Sequence, residues 1–520
     1  MSAESSSGDP AGRHARDTVP GGRTGRLALV IAGAALFAAL VTLNAGGYRY
    51  GASDQAFYIP VVLEEIRPEL FPHDRPVIAA QDRLLFFDDW FGPLVEASGL
   101  TLPTAFLIAQ IVTLFTLYGA VIGVGLAVCR THWGIAGMLV LMTIRHRIPH
   151  TGANSVEGYF HPRMLAFGVG LSALALYLHG RVWMAMAVVG VTVLIHPTIG
   201  VWYALLLAGA AAINGDLSRR TLVGGGAVAA IVGLWALGGE LRDGLVLMDD
   251  AWLEVLALKD YLVIPGWPLA AWPSNLAIVG FVIVVFRYRQ RLGLATDRER
   301  AVVGGCLLLL AVFLLSAPIS YAGVALAVQL QVNRVFWLID YVGVALFAWL
   351  LFEAPWFRRR SDRRWMPPRR ALVVVIALLA LWRGGYRGFV ERPDRPVFQV
   401  GLAASDWHQT MRWAAEQPVG THFLADPVHA ARYGISLRAA SGRDVYLELV
   451  KDSALAIYSP EIADRVSKRL RELGDFEQLT ERRAEELARL HDIDFLITER
   501  PLALPVAHRA GPLVAYDLGR

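Results

Sequence analysis

The segment from Tyr50 to Tyr58 combines aromatic, small and acidic residues directly after the first long apolar run of the sequence. Asp54 falls a few residues beyond the end of that run, with Phe57 and Tyr58 close by. A carboxylate that is partly shielded from water there can accept a proton from a hydroxyl or coordinate a divalent metal ion. An acidic residue at this place can equally cap a short helix. We predict Asp54 as a catalytic residue and Tyr58 as part of the same binding site, with capping as the alternative.

Asp88 and Asp89 form a second acidic candidate, within the sequence Phe-Phe-Asp-Asp-Trp at 86–90. Side chains of adjacent helical residues point about 100° apart, so the two carboxylates are not one shared site. Both are predicted as substrate contacts, and a solvated helix face is the alternative.

Histidine and arginine side chains are concentrated between residues 145 and 163. Glu157, His161 and Arg163 end this segment, and arginine donates forked hydrogen bonds to phosphate oxygens. The three arginines and three histidines of the segment therefore predict an anionic ligand, such as a lipid-linked phosphate, at the membrane surface, and Glu157, His161 and Arg163 are predicted as substrate-binding residues. Contact with ordinary lipid headgroups explains the same residues equally well, as does a loop assigned to the wrong side because the neighbouring apolar runs are short. The histidines of the segment, with Glu157, can also be written as metal ligands, but no helix is predicted to align them, so the metal is unknown.

His196 and Arg334 each fall where a helix is expected to meet the same surface. Ionisable groups at membrane depth are costly and indicate function by default, although an arginine at a helix end can simply extend toward lipid headgroups. Both are predicted as substrate-binding residues, Arg334 as a phosphate contact. Asp340, within an apolar run, is either functional or a structural partner of a neighbouring helix.

Composition places most of the chain in a bilayer. The 520 residues are 55% hydrophobic and only 18% charged, which excludes a string of soluble domains. A net charge of +4 is too small to indicate nucleic-acid binding. The two cysteines lie in or beside apolar runs, so no disulfide framework, zinc ribbon or haem-attachment motif is predicted.

About eleven apolar runs predict a mainly α-helical, polytopic membrane bundle. They lie at 27–45, 103–129, 133–144, 164–179, 182–197, 198–213, 222–239, 274–286, 301–318, 333–353 and 371–383. With residues 1–26 as a disordered cytoplasmic tail, eleven crossings leave the arginine-rich loops on the cytoplasmic side, as the positive-inside rule requires.

Two parts are predicted to lie outside the cytoplasm. Within the membrane domain, 27–385, the long loop 47–102 contains amphipathic segments at 59–70 and 83–97. Residues 400–520 alternate helical patterns with short strand-like runs, which predicts a small extracytoplasmic α/β domain. Its glycines and serines form no phosphate-binding motif or nucleophile elbow, so we assign it no chemistry. Its helices are predicted at 404–417, 456–474 and 480–491, and its strands at 421–425, 444–448, 493–498 and 512–517.

This organisation resembles the GT-C superfamily of polytopic membrane glycosyltransferases, which use a polyprenyl-phosphate sugar as donor, and in particular its uncharacterised bacterial members. The likeness in sequence is narrower. Residues 50–58 are similar to the acidic and tyrosine-containing start of the family's long loop, and 160–167 (Phe-His-Pro-Arg-Met-Leu-Ala-Phe) and 194–197 (Leu-Ile-His-Pro) look like segments of bacterial members. Many members carry two adjacent acids in the loop, whereas Gln55 follows Asp54 here.

The resemblance implies inverting sugar transfer from a lipid-linked donor to a hydroxyl of a glycan, lipid or protein acceptor. Envelope glycan or glycolipid assembly at the bacterial cytoplasmic (inner) membrane is the implied setting. Asp54 takes the position of the family's loop acid, which acts as a base or a metal ligand. The cofactor stays unknown, with a divalent cation as one option. Arg163 and Arg334 are candidates for the donor phosphate on physical grounds and are not carried over from a family motif.

Two other classes of protein fit part of the pattern. A secondary transporter would suit eleven spans and an acidic residue within a helix, but the sequence shows no clear internal repeat, and transport requires neither the long loop nor the α/β domain. A non-catalytic scaffold of an envelope assembly would use the C-terminal domain as a docking module.

Overall fold

The computed structural model describes residues 23–82, 86–221, 224–227, 231, 242–259, 261–355, 368–391, 393 and 395–519. Most of the tail predicted at 1–26 lies outside the described residues, and a helix begins at Arg23. The apolar run predicted at 222–239 also falls largely outside them.

Helices dominate the chain up to residue 391. In chain order they are α1 (Arg23–Asn44), α2 (Gln55–Ile66), α3 (Arg75–Asp82), α4 (Phe87–Ser98), α5 (Leu102–Val128), α6 (His132–Thr143), α7 (Pro162–Leu178), α8 (Val182–Ile195), α9 (Pro197–Ile213), α10 (Asp250–Ala257), α11 (Ala271–Arg291), α12 (Asp297–Tyr321), α13 (Ala325–Gln329), α14 (Val335–Phe352) and α15 (Pro368–Phe389).

Six helical stretches of the described chain are long and apolar enough to cross a membrane. They are α1, α5, α11, α12, α15 and the stretch Ala325–Phe352, which contains α13 and α14. The helices α6 to α9 are apolar but shorter. Every predicted apolar run other than 222–239 therefore corresponds to a helix, but the count of eleven crossings is not confirmed.

The stretch that contains α14 lies at the centre of the bundle. Of its most apolar window 72% is buried, against 22% to 44% for the other five long stretches. A turn of 3-10 helix, Val332–Arg334, precedes α14 and places Arg334 at its N-terminal end. Beside it, α7 packs against α5, α8 and α9. A Cβ added at Gly170 of α7 would lie 2.2 Å from the ring of Tyr203, so glycine is what allows α7 and α9 to approach closely.

The long loop between α1 and α5 folds into the three helices α2, α3 and α4. Four phenylalanines join this loop to the bundle, with ring centroids 4.6 to 5.9 Å apart: Phe87, Phe91, Phe106 and Phe160. Aromatic rings at such offsets stabilise packing beyond the burial of their area. The amphipathic segments predicted at 59–70 and 83–97 correspond to α2 and α4, whereas α3 was not predicted.

Residues from 395 onward form an α/β domain. Its helices are α16 (Asp406–Glu416), α17 (His429–Arg432), α18 (Leu437–Ser441), α19 (Leu449–Leu455), α20 (Pro460–Leu473) and α21 (Glu481–His491). The strands of the chain are β1 (Tyr48–Arg49), β2 (Phe398–Gln399), β3 (His422–Ala425), β4 (Asp444–Val445), β5 (Phe495–Thr498), β6 (Val506–Ala510) and β7 (Leu513–Asp517). Ser405, Ser459 and Thr480 cap α16, α20 and α21 by accepting a backbone N–H.

The five-stranded sheet has the order β4-β3-β5-β7-β6, with β4, β3 and β5 parallel and β7 and β6 antiparallel. Separately, β1 pairs with β2 in parallel, with Tyr48 opposite Phe398. Because β1 follows α1 and β2 follows α15, this pair ties the start of the long loop to the start of the C-terminal domain. Arg383 of α15 strengthens the junction by donating to Asn44 Oδ1 at 2.8 Å and to the Arg145 carbonyl oxygen at 2.7 Å.

Asp74 anchors the C-terminal domain to the long loop. Its fully buried carboxylate accepts hydrogen bonds from Arg438 Nε at 2.7 Å and from the Val445 N–H at 2.9 Å, and it pairs with Arg465. Arg438 also donates to Asp452 of α19 at 3.1 Å. Burial alone would raise the pKa of Asp74, but Arg438 and Arg465 outweigh it and hold the pKa well below its usual range.

Replacing Asp74 with alanine is expected to lower the free energy of unfolding by about 3–5 kcal/mol, because two guanidinium groups lose their buried carboxylate. Since the folded-state pKa is depressed, the stabilisation is present above the unfolded-state pKa of about 4 and is lost as the pH falls through the folded-state pKa. The melting temperature of the wild type should therefore fall more steeply on acidification than that of Asp74→Ala. Scanning fluorimetry of the purified proteins measures both, and parallel pH profiles would contradict this assignment.

Candidate active site

A tight loop from Gly51 to Ser53 turns the chain into α2 and delivers Asp54. Gly51 has a φ of +78°, and a Cβ added to it would lie 2.2 Å from Cδ1 of Ile435 in the C-terminal domain. Only glycine fits this turn. Asp54 occupies the N-cap position of α2, but its side chain makes no capping hydrogen bond. Helix capping therefore does not account for its carboxylate.

Gln55 fixes this loop against the segment that precedes α7. Its fully buried side chain accepts the Gly51 N–H at Oε1, at 2.6 Å, and donates from Nε2 to the Phe160 carbonyl oxygen at 3.1 Å. The residue that follows Asp54 is thus an amide whose two ends both form hydrogen bonds with the backbone.

Three side chains surround the Asp54 carboxylate. Lys451 Nζ lies 3.1 Å from Oδ1, and His161 Nε2 lies 3.3 Å from Oδ2. Arg163 Nη2 lies 3.8 Å from the same Oδ2. The side chains of Lys451, His161 and Arg163 are 9%, 3% and 4% exposed, whereas that of Asp54 is 27% exposed. Asp54 is therefore the reachable member of an otherwise buried cluster.

Hydrogen bonds and electrostatic neighbours together set the protonation states of His161 and Asp54. His161 Nδ1 accepts the Arg163 backbone N–H at 3.1 Å, so the ring proton is on Nε2 and faces Asp54. Burial and Arg163 lower the pKa of His161 to about 3, so the ring is neutral at neutral pH. Burial raises the pKa of Asp54, but its three partners, Lys451 foremost, outweigh burial and hold that pKa well below its usual range. Asp54 is an ionised carboxylate at neutral pH.

Glu157 supports the arginines of the cluster. Its carboxylate accepts from Asn154 Nδ2 at 3.0 Å and from Arg145 Nη2 at 3.3 Å, and lies 3.9 Å from Arg163 Nη2. The side chain is only 3% exposed. This predicted substrate contact therefore faces protein groups and holds Arg163 and Arg145 in place.

Arg163 and Arg334 present buried donors on the other side of the cluster. Arg163 lies over the ring of Trp337 in α14, at 5.7 Å, and is close enough to Arg334 for the two guanidinium groups to repel each other. In the described part of the chain, Arg163 Nε, Arg163 Nη2 and Arg334 Nε are buried without a hydrogen-bond partner. His196 and Tyr58 lie within electrostatic range of both arginines. The nearest carboxylate oxygens, of Asp54 and Glu157, lie 3.8 and 3.9 Å from Arg163 Nη2, beyond hydrogen-bond distance. Buried donors without a hydrogen bond are costly, so these donors indicate a place where a further anion can bind.

Two predicted substrate contacts, Asp88 and Asp89, belong to α4. Both lie in the first turn of α4, where Asp88 is buried and Asp89 is exposed. Carboxylates there stabilise the N-terminus of a helix. The substrate contact predicted for the pair stays a prediction. The other predicted site residues gather around Asp54 and the two arginines. Asp340, in turn, pairs with His146 Nε2 at 3.0 Å and is a structural partner of the segment before α7.

The acids and imidazoles of the cluster do not suit a divalent cation. Oδ1 of Asp54 faces an ammonium and Oδ2 faces an N–H, while Glu157 is taken up by Asn154 and Arg145. Over the described ranges, no three His, Cys, Asp or Glu side chains gather in a group that could hold a metal ion. The divalent cation that the sequence left open is not accommodated by these residues.

A cavity of about 620 Å³ lies between the long loop and the C-terminal domain. The loop contributes Ser53 to its wall and the segment before α7 contributes Tyr159, while the domain contributes Trp407, Tyr433 and Lys451. The rings of Trp407 and Tyr433 are stacked at 4.4 Å. The cavity thus combines flat apolar surfaces with polar groups, and it reaches the immediate neighbours of Asp54.

Lys451 is the member of the cluster that the sequence did not single out. It is one of only three lysines in the chain and belongs to the domain to which we assigned no chemistry. It lies 397 residues from Asp54, and no local pattern relates residues at that separation. The scarcity of lysine beside abundant arginine is the one signal in the sequence that points to it.

No protein-family model matches the chain, and no curated protein matches it. Among solved structures, the fold is similar to the oligosaccharyltransferase of Archaeoglobus fulgidus. The crystal structure tethered with an acceptor peptide that contains the NVT sequon is 13% identical, with a TM-score of 0.48 over 92% of this chain and 69% of that chain. The apo form is 14% identical, with a TM-score of 0.43 over 92% and 70% of the two chains. A likeness this distant does not by itself identify an activity.

Proposed function

We propose that the protein is a membrane glycosyltransferase of the GT-C type, which moves a sugar from a polyprenyl-phosphate donor to an acceptor hydroxyl. The observation that carries the proposal is the pairing, in one cluster, of an accessible ionised carboxylate with two buried arginines whose donors lack acceptors. The carboxylate can orient a hydroxyl and accept its proton. The arginines can stabilise a phosphate that gains negative charge as it leaves.

Transfer requires one bond to form and one to break. The acceptor hydroxyl oxygen attacks the anomeric carbon, and the bond from that carbon to the phosphate oxygen breaks with its electron pair on the phosphate. The hydroxyl proton passes to Asp54, so the products are the inverted glycoside and polyprenyl phosphate. A carboxylate with a depressed pKa is a weak base, so Asp54 first orients the hydroxyl and accepts its proton once bonding to carbon has made the hydroxyl acidic.

Each carboxylate oxygen of Asp54 keeps one lone pair that can accept a hydrogen bond from the acceptor hydroxyl. A carboxylate oxygen has two lone pairs, and Lys451 and His161 occupy one on each oxygen. We place the acceptor in the cavity lined by Ser53 and Lys451, which are neighbours of Asp54 in sequence and in space, respectively. The donor phosphate approaches from the side of Arg163 and Arg334, so that the two substrates meet at the carboxylate.

The setting that we propose is the bacterial cytoplasmic membrane, with the N-terminus inside and the C-terminal domain outside. The distribution of arginine among the loops supports this orientation. The lipid-linked donor and a glycan, lipid or protein acceptor would then meet outside the cytoplasm, in assembly of an envelope glycan or glycolipid.

Deleting the gene in its own host tests the function whichever sugar is transferred. Cells without the protein should accumulate a polyprenyl-phosphate-linked sugar, because its consumption is blocked, and the wild-type gene should reverse the accumulation. Mass spectrometry of extracted lipids measures it. A deletion strain with an unchanged profile of lipid-linked sugars would contradict the proposal and favour a transporter or a scaffold.

A further inference from the structure

Lys451 reaches Asp54 from the C-terminal domain and is enclosed there. Its Nζ lies 3.1 Å from Asp54 Oδ1 and 4.7 Å from the centre of the Phe57 ring, and its side chain is 9% exposed. An ammonium over an aromatic face and against a carboxylate is stabilised at that place. The positive charge next to Oδ1 is therefore a built-in part of the site.

The neighbours of Asp54 that might complete a metal site are committed elsewhere. The His161 ring uses Nδ1 to accept a backbone N–H, so its Nε2 carries a proton and has no lone pair to offer a metal. Both ends of the Gln55 amide form hydrogen bonds with the backbone, one with Gly51 and one with Phe160. Asp54 is left as a single carboxylate, whereas divalent cations in proteins bind several oxygen or nitrogen ligands.

The charges around Asp54 also oppose a second cation. Arg163 lies 3.8 Å from Oδ2, and Arg334 lies within electrostatic range of Arg163. Coulomb energies scale with the product of the charges, so a divalent ion beside Nζ would gain twice the attraction of the Asp54 carboxylate but also meet twice the repulsion of Lys451 and both arginines.

We infer that Lys451 takes the place of a divalent metal ion beside Asp54 and that this site works without one. This rests on the proposed function. Lys451 is a positioning residue, since it holds the carboxylate that meets the acceptor hydroxyl. The task of balancing negative charge at the leaving phosphate falls to Arg163 and Arg334.

The placement of Lys451 depends on the docked C-terminal domain. Its neighbour in sequence, Asp452, pairs with Arg438, which in turn binds Asp74 of the long loop. This chain of buried ion pairs sets the distance between α19 and the loop that carries Asp54. The Lys451 ammonium therefore reaches Asp54 only when the C-terminal domain is docked on the long loop.

Binding of Mn²⁺ tests the inference without any substrate. The full-length wild type and Asp54→Asn are purified in detergent, titrated with Mn²⁺ and followed by electron paramagnetic resonance. The two proteins should give the same isotherm. A Mn²⁺ site that is present in the wild type and lost in Asp54→Asn would overturn the inference, and it would do so even if the protein transferred no sugar.

Transfer measurements test the role of the ammonium. Wild-type transfer should stay within about twofold in excess EDTA, whereas Lys451→Ala should lose about 10²–10³-fold. Lys451→Arg should retain more activity than Lys451→Ala, and added ethylammonium should partly restore Lys451→Ala. Lys468→Ala, which removes an exposed lysine from the same domain, serves as the control and should be unchanged. Loss of wild-type transfer in EDTA with recovery in Mn²⁺, or full activity of Lys451→Ala, would overturn the inference.

Discussion

Asp54→Asn is expected to slow sugar transfer by about 10²–10⁴-fold, the range typical for loss of a positioned acid–base group. The amide has nearly the same shape as the carboxylate but neither accepts a proton nor balances the ammonium of Lys451. Transfer is measured as release of polyprenyl phosphate by purified protein, using the lipid-linked sugar that accumulates in the deletion strain.

Glu69→Gln is the matched control for this change, because Glu69 is an exposed carboxylate on the same long loop. It should transfer at the wild-type rate. Expression and gel-filtration profiles of Asp54→Asn should equal those of the wild type, since the substitution removes no buried volume. Undiminished transfer by a correctly folded Asp54→Asn protein would remove the catalytic assignment.

Arg163→Gln and Arg334→Gln are each expected to weaken binding of polyprenyl phosphate by about 10- to 100-fold, because each removes charge-assisted hydrogen bonds from a buried site. Transfer should fall further than binding, by about 10²–10³-fold, since negative charge grows on the phosphate as the sugar leaves. Isothermal titration with polyprenyl phosphate gives the first quantity, and the release assay gives the second.

Lysine at either position distinguishes charge from geometry. Arg163→Lys keeps the positive charge but loses the forked donors, so it should recover only part of the binding. Arg482→Gln, which removes a guanidinium that is 88% exposed, is the control and should bind and transfer normally. If neither Arg163→Gln nor Arg334→Gln changed the affinity for polyprenyl phosphate, the anion site would lie elsewhere.

The sequence predicted the helices well because long apolar runs leave few alternatives to a helix in a membrane. It predicted the larger elements of the C-terminal domain for a related reason, since α20 and α21 have strong helical periodicity and serine or threonine caps. It missed α17 to α19 because they span too few residues to show a period. Strand β6 was missed because most of its residues are exposed and form no apolar run.

The candidate site was predicted where its residues lie next to helix ends. Asp54, Arg163 and Arg334 stand out because ionisable groups are rare beside apolar runs. Asp88 and Asp89 stand out equally, and in the structure they lie in the first turn of α4. Lys451 could not be predicted as a site residue from the sequence, because its contact with Asp54 depends on how the C-terminal domain docks on the long loop.

The separation of Asp54 and Lys451 along the chain also sets when the protein can first act during its biosynthesis. The ribosome completes the long loop, Arg163 and Arg334 well before it reaches residue 451. A nascent or prematurely terminated chain therefore carries the acid and the anion site without the ammonium beside them. Under the proposed function, catalytic competence would therefore follow only when the C-terminal domain has folded onto the loop.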